Sequence, residues 1–356
     1  MDHPKYDGNI HPDEWINDIQ KYDSFWKARY SINTAISLID PIIKLPTGID
    51  NYEKLRNALK EDVSFKIFKN TNKRKLQSLK YIPERKGGDT SKFISTFRKL
   101  CYNAELNEIE EQKKYLFKSL PNNHFDYISN EFYEKMKNVN SINELAEEFE
   151  NIVLEESNLI RNESIVALKH VATGKYLCSK SNLHYTTGSK NQLVFVGSSE
   201  PGPNSLWKIT FSKELATYTD STSITLQHAQ SNLFLGLSYY SRYDGYRYLC
   251  CYHKSPSTNH TEVNCGGNDY TWNFKHSKLE NHQGYLKSNN IINLGIKRVY
   301  DYNGDNTQNG PVEFLRSHDI QFTIGDDTFQ EVVCHNERLG GNDEWCIELI
   351  HEVKVF

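Results

Sequence analysis

Long apolar runs are missing from this chain. The longest, over residues 35–45, is broken by Asp40, Pro41 and Lys44, far short of the ~20 apolar residues a bilayer-spanning helix needs, so no membrane span is expected. The N-terminal MDHPKYDGNIHPDEW lacks the basic flank and apolar stretch of a secretory signal, and its acidic residues argue against a transit peptide. A cytoplasmic protein is therefore expected, and the sequons at Asn162 and Asn259 carry no weight. A cysteine framework is missing too. Cys101, Cys178, Cys250, Cys251, Cys265, Cys334 and Cys346 are an odd set with no CxxC, which points to reduced, structural thiols. Nor does one sign of charge dominate. The 42 basic and 46 acidic side chains leave −4, and residues 1–160 hold 24 and 26 of them, so bulk attraction to nucleic acid or to an anionic membrane is not expected. There is no GxGxxG, no GxxxxGK[ST] and no Ser/His/Asp order to single out, and Asp305 and Asp326-Asp327 lack EF-hand spacing. Catalysis has no candidate residue, and no cofactor is expected.

What is present divides in two. A chain of 356 residues, 37% hydrophobic and 25% charged, is long enough for two packed units. Over residues 15–157 glycine is scarce and the apolar residues recur at helical spacing: Trp15, Ile19 and Tyr22 behind a His11-Pro12-Asp13-Glu14 start; Tyr52, Leu55 and Leu59; Phe93, Phe97, Leu100 and Ala104; Leu145, Phe149, Ile152 and Val153. Ser141-Ile-Asn-Glu144 is a capping-box signature. Pro83-Glu-Arg-Lys-Gly87-Gly88-Asp89 reads as a joint between helical lobes, and a second joint falls at residues 157–164. The boundaries predicted are 6–86 for one helical lobe, 87–157 for the other, and 164–356 for an all-β domain.

The β part is internally repeated. Three opening strands, SIVALKHVATGKYL from Ser164, SITLQHAQSNLFL from Ser223 and NIINLGIKRVY from Asn290, each lead to a second strand, QLVFV, TEVNC or QEVVC. Each unit closes on Asn, a short spacer, Trp and an apolar residue two further on: Asn204-Ser-Leu-Trp207-Lys-Ile209, Asn268-Asp-Tyr-Thr-Trp272-Asn-Phe274 and Asn342-Asp-Glu-Trp345-Cys-Ile347. No such unit buries a core alone. Closing three around a pseudo-threefold axis predicts a β-trefoil.

These repeats, over residues 165–350, resemble MIR domains, which implies a β-trefoil. The third copy departs most, with Leu294-Gly-Ile-Lys where the others have Leu168/His170 and Leu226/His228, and with an inserted loop at residues 300–311. The helical half is similar to the capsid region of Gag from Gypsy-type retrotransposons and its domesticated, Arc-type relatives. The matching residues are Tyr6-Asp-Gly8 with His11 to Trp15, Gly87-Gly-Asp-Thr-Ser-Lys-Phe93-Ile-Ser-Thr-Phe97, and Glu111-Gln-Lys-Lys-Tyr115-Leu116-Phe117-Lys-Ser-Leu120-Pro121. That resemblance implies a two-lobed, self-associating capsid-like module. The chain continues into the repeats instead of a zinc knuckle and basic tail, so RNA packaging is not expected.

Candidate residues follow from chemistry. Tyr239, Tyr240, Arg242, Tyr243, Tyr246, Arg247, Tyr248 and Tyr252 interleave aromatics with cations, a pattern that stacks on sugars or bases or simply elaborates a hairpin. Six of them, Tyr239, Arg242, Tyr243, Tyr246, Arg247 and Tyr252, are the predicted ligand-binding set. His170, His228, Trp207, Trp272 and Trp345 read as folding devices of the repeat, with sugar stacking by the indoles the alternative. Cys250, His253, His260 and Cys265 have the residue types of a zinc site but not the spacing of a zinc knuckle, and packing already accounts for Cys265, so no metal is expected. Trp15, Phe93, Phe97, Tyr115 and Phe117 are the candidates for the helical interface, with intralobe core the stronger reading for most of them. The function expected is non-enzymatic: a self-associating helical half clustering a trefoil that binds a glycan, a small polar ligand or a protein partner. The alternatives are a glycosyl-transfer or sugar-processing enzyme, which needs convergent carboxylates in a pocket, and an RNA binder.

Overall fold

The computed structural model describes residues 5–26, 32–121, 127–218, 222–279 and 282–350. It divides at Ser157 into two compact units, one helical and one all-β. Each is described separately.

In the first unit the described residues form α1 (Pro12–Trp26), α2 (Ile32–Ser37), α3 (Tyr52–Glu61), α4 (Val63–Ser78), α5 (Thr90–Asn103), α6 (Ile109–Ser119), α7 (Tyr127–Lys135) and α8 (Ile142–Ser157). Short polar side chains start α3, α4 and α5, each taking a backbone amide that has no intrahelical partner. Asn51 accepts from the amide of Lys54, Asp62 from Ser64 and Asp89 from Lys92. At α8 the Glu144 amide donates to Ser141 Oγ at 3.2 Å, while the Glu144 carboxylate takes the amide of Asn140, one residue before the position a regular capping box uses. Trp15, Ile16, Ile19, Leu55 and Leu59 share one core with Tyr6 and Ala35. After α4, Tyr81 packs its ring against both Phe93 and Phe149. The chain then turns through Gly88, where a β-carbon would meet the carbonyl oxygen of Ile82 at 1.7 Å.

The second unit begins at Asn158, six residues before the expected start at Ser164, because the segment ahead of the first strand pairs into the β unit: Leu159 bridges Lys287, and Arg161 bridges Leu215. Its strands fall into three groups of four, with one extra hairpin. They are β1 (Ile165–His170), β2 (Leu177–His184), β3 (Gln192–Val196) and β4 (Trp207–Thr210); β5 (Ser223–His228), β6 (Phe234–Leu237), the inserted β7 (Tyr239–Tyr243) and β8 (Tyr248–Tyr252), β9 (Thr261–Gly266) and β10 (Trp272–His276); β11 (Asn290–Lys297), β12 (Val312–Ile324), β13 (Asp327–His335) and β14 (Trp345–Leu349).

Pairing closes them threefold. The first and last strands of each group pair with each other, β1 with β4, β5 with β10 and β11 with β14. The last strand of each group also pairs with the first of the next, β4 with β5, β10 with β11 and β14 with β1, so six strands form a closed ring with no free edge. The inner hairpins β2–β3, β6–β9 and β12–β13 cap it, and β3, β9 and β13 pair mutually in a triangle. Trp207, Trp272 and Trp345 are fully buried in one core. Their Nε1–H groups donate to the carbonyls of Leu177, Leu235 and Leu315 at 3.0, 2.9 and 3.1 Å, the same bond in each repeat. Burying an indole requires such an acceptor.

Candidate functional site

The recurrent histidines occupy equivalent buried places. His170 lies beside Trp345 and His228 beside Trp207, ring centroids 5.0 and 5.3 Å apart. Nε2 of His170 lies 3.1 Å from the Asn342 carbonyl and Nε2 of His228 lies 3.2 Å from that of Asn204. A carbonyl only accepts, so Nε2 carries the proton and Nδ1 accepts from the hydroxyls of Thr173 and Ser231, at 3.0 and 2.9 Å. Burial holds both imidazoles below their usual pKa, partly offset by the bond to the carbonyl. The register places Ile296, opposite Trp272, where the third histidine would stand.

The structure divides the tyrosine tract. Tyr239, Arg242, Tyr243, Tyr246 and Arg247 lie together on the exposed β7–β8 hairpin, Tyr246 being 95% exposed. Arg247 pairs with Asp305 of the third repeat's inserted loop at 2.7 Å. Tyr252 adjoins Tyr239, ring centroids 5.7 Å apart, but is itself buried. It turns inward, its hydroxyl accepts from the Val299 amide at 2.9 Å, and its ring lies 4.3 Å under the Arg298 guanidinium. Arg298 is itself buried, pairs with buried Glu313 at 2.9 Å and is flanked on its other side by Tyr302. Tyr252 is therefore part of a buried cation–π contact, held there by Val299 and Arg298 of the third repeat.

The zinc-type residues are scattered. Cys265 is buried in the common core, Cys250 lies beside Ser241 on the hairpin, and His260 faces Glu337. Among the described residues no group of three or more His, Cys, Asp or Glu could hold a metal ion. Of the helical interface candidates, most take the intralobe reading. Trp15, Phe93 and Phe97 are core residues, while Tyr115 and Phe117 are half-buried.

The cavity that residue patterning missed lies at the triangular cap. About 230 Å³ in volume, it is walled by all three repeats: Tyr185 to Thr187 from the first, Ser255 to Ser257 and Glu262 from the second, Phe322 to Ile324 and Glu331 to Val333 from the third. Two buried carboxylates line it. Glu262 accepts from Asn264 Nδ2 at 3.1 Å on Oε1 and from the Ser189 amide at 3.3 Å on Oε2. Glu331 accepts from the Ser255 hydroxyl on Oε1, and from His318 Nε2 at 2.9 Å and the Thr258 hydroxyl at 3.4 Å on Oε2. The Tyr185 hydroxyl donates to the Val263 carbonyl at 2.8 Å, and burial, followed by the fields of Glu262 and Glu331, raises its pKa well above the ordinary value. The rings of Tyr185 and Phe322 lie nearly parallel, centroids 6.2 Å apart. One signal was available in the sequence. Glu262 and Glu331 hold the same place in TEVNC and QEVVC, where the first repeat has Leu193 in QLVFV.

No family model matches the chain, and no curated protein matches it. Among solved structures, the SDF2-like protein from Arabidopsis thaliana is 21% identical, covering 53% of this chain and 94% of its own, with a TM-score of 0.39. The protein O-mannosyltransferase Pmt1-Pmt2 complex of S. cerevisiae, bound to the sugar donor, is 15% identical over 85% of this chain and 41% of its own, TM-score 0.39. The ricin B-like lectin of Macrolepiota procera, in complex with lactose, is 12% identical over 54% and 99%, TM-score 0.29.

Proposed function

We propose that the β unit is a β-trefoil of the MIR type that binds a small polar ligand or glycan without transforming it, and that a capsid-like helical unit clusters several copies. The observation that carries this reading is the cap cavity. It is a partly open cleft, small by the standard of ligand sites, lined by hydroxyls, an aromatic wall and two glutamates, the mix of apolar surface and few polar groups that small-molecule sites use. The seven cysteines are all free thiols, which supports a reducing compartment such as the cytoplasm.

The paired carboxylates are also what a sugar-processing enzyme would need. Their surroundings favour binding. Hydrogen bonds hold both, two on Glu262 and three on Glu331, which supports a role as fixed acceptors for a bound ligand. For clustering, the buried Trp15, Phe93 and Phe97 are replaced as contact candidates by Ile67, Tyr133 and Leu154, exposed at 59%, 65% and 62%.

Two measurements on the full chain test this. Calorimetric titration with a panel of monosaccharides is expected to show saturable binding and no product, whereas turnover establishes the enzymatic reading. Light scattering on a sizing column is expected to show a concentration-dependent oligomer; a strict monomer at high micromolar concentration defeats clustering.

A further inference from the structure

The cap cavity has an imbalance of charge that a neutral sugar does not relieve. Its lining holds two glutamates and no Lys, Arg or His, a formal charge of −2. His318, outside that lining, pairs with Glu331 at 2.9 Å, a contact that is ionic when the imidazole is protonated, so the carboxylate without a cationic partner is Glu262. Glu262, only 5% exposed, makes no ion pair among the described residues; its partners are a neutral amide and a backbone N–H. Burying a carboxylate without a counter-cation is costly, and natural proteins usually meet that cost by pairing. Here the missing partner has a space reserved for it. A carboxylate has about four lone-pair sites; Glu262 uses two and Glu331 three, so both retain capacity to accept. The Tyr185 and Phe322 rings add faces that attract a cation.

We propose that the cap cavity selects a small organic ammonium, a primary amine on a polar, hydroxylated body, whose charged nitrogen sits between Glu262 and Glu331. The inference deepens the binding function proposed above and rests on it. An organic cation fits better than a bare metal ion. The space equals about eight waters at ~30 Å³ each, roughly one sugar ring, and Ile324, Val332, Val333 and Pro256 supply apolar wall that an inorganic ion cannot use. The hydroxyls of Thr187 and Ser257 suit the body of such a ligand.

The test compares glucose with glucosamine at pH 6, which differ by one hydroxyl against one protonated amine, by calorimetry on the full wild-type chain, with calcium chloride as a third arm. Glucosamine is expected to bind about tenfold to a hundredfold more tightly than glucose, the usual worth of a hydrogen bond to a charged group. Glu262→Gln is expected to abolish that preference. The wild-type comparison needs no variant to fold. Equal affinity for the two sugars overturns the ammonium inference and leaves sugar binding standing. Calcium binding that glucosamine does not displace also overturns it, in favour of an ion site. Binding of none of the three at millimolar concentration overturns both this inference and the binding function beneath it.

Discussion

Replacing His228 with isoleucine tests whether the recurrent histidine is a folding device. The third repeat already carries Ile296 in that position beside Trp272, so the new side chain has a natural precedent for its shape. What changes is hydrogen bonding. The Asn204 carbonyl loses the Nε2–H donor, and the Ser231 hydroxyl loses Nδ1 as acceptor. An orphaned buried acceptor costs about 1–3 kcal/mol and a lost ordinary hydrogen bond about 0.5–1.5 kcal/mol, so His228→Ile should cost about 2–4 kcal/mol. His170→Ile has the same geometry and should cost a similar amount. Urea unfolding followed by indole fluorescence measures the loss, and hydrogen exchange in peptides covering residues 223–237 confines it to the β unit. The pH profile gives a second check. Burial depresses both imidazoles in the folded state, so between those depressed values and the unfolded value of about 6.5 the unfolded chain binds more protons. Stability from these residues is therefore complete above pH ~6.5 and is lost as pH falls through the folded values. The double variant should flatten that decline without abolishing it, because burial also depresses His276. A cost below about 0.5 kcal/mol, or an unchanged pH profile, refutes the reasoning.

Gly188 has φ +67°, and a β-carbon there would lie 2.0 Å from Glu262 Oε2. Gly188→Ala should cost at least ~1–2 kcal/mol for the left-handed backbone alone and should weaken ligand binding by displacing the carboxylate, read by thermal melting and titration of the same sample. Trp272→Ala should cost about 3–5 kcal/mol, the range for a buried aromatic, with Leu235 left without its indole donor; a loss under ~1 kcal/mol in urea unfolding argues that the repeats do not share one core.

The frame was readable in the sequence because its signals are local and repeated. A tryptophan two residues before an apolar one, three times, marks the closing strand, and the change from His170 and His228 to Ile296 shows directly as a missing letter. The helical caps at Asp89 and Ser141 are equally local. The cavity was not readable, because Tyr185, Ser255 and Phe322 meet only through the pairing of β3, β9 and β13, contacts between segments some seventy residues apart. Tyr252 was misplaced for a related reason. In a tract with a tyrosine at nearly every second position, composition does not tell which face is buried, and the partner Arg298 lies in another repeat. Trp15, Phe93 and Phe97 show the same ambiguity, since an apolar stripe on a helix serves a core or an interface equally well.

The cap keeps its threefold frame while breaking symmetry where the cavity opens. Gln192 and Gln330 donate to the hydroxyls of Ser179 and Ser317, which in turn donate to the carbonyls of Leu193 and Glu331; that hydrogen-bonding device is the same in two repeats. One position along the strand, the side chains diverge into Leu193, Glu262 and Glu331. A packing role would be met by leucine in all three, so the two carboxylates are either structural acceptors or part of a site. Glu262→Leu separates these. The substitution orphans the Asn264 amide and the Ser189 N–H, at about 1–3 kcal/mol for a buried donor, but removes a buried carboxylate that has no counter-cation, whose burial costs several kcal/mol. The two nearly cancel, so stability should stay within ~1 kcal/mol of wild type while glucosamine binding is lost. Destabilisation beyond ~3 kcal/mol in urea would mean that the carboxylate serves the fold as an acceptor, and the charge in the cavity would then be a by-product of that role.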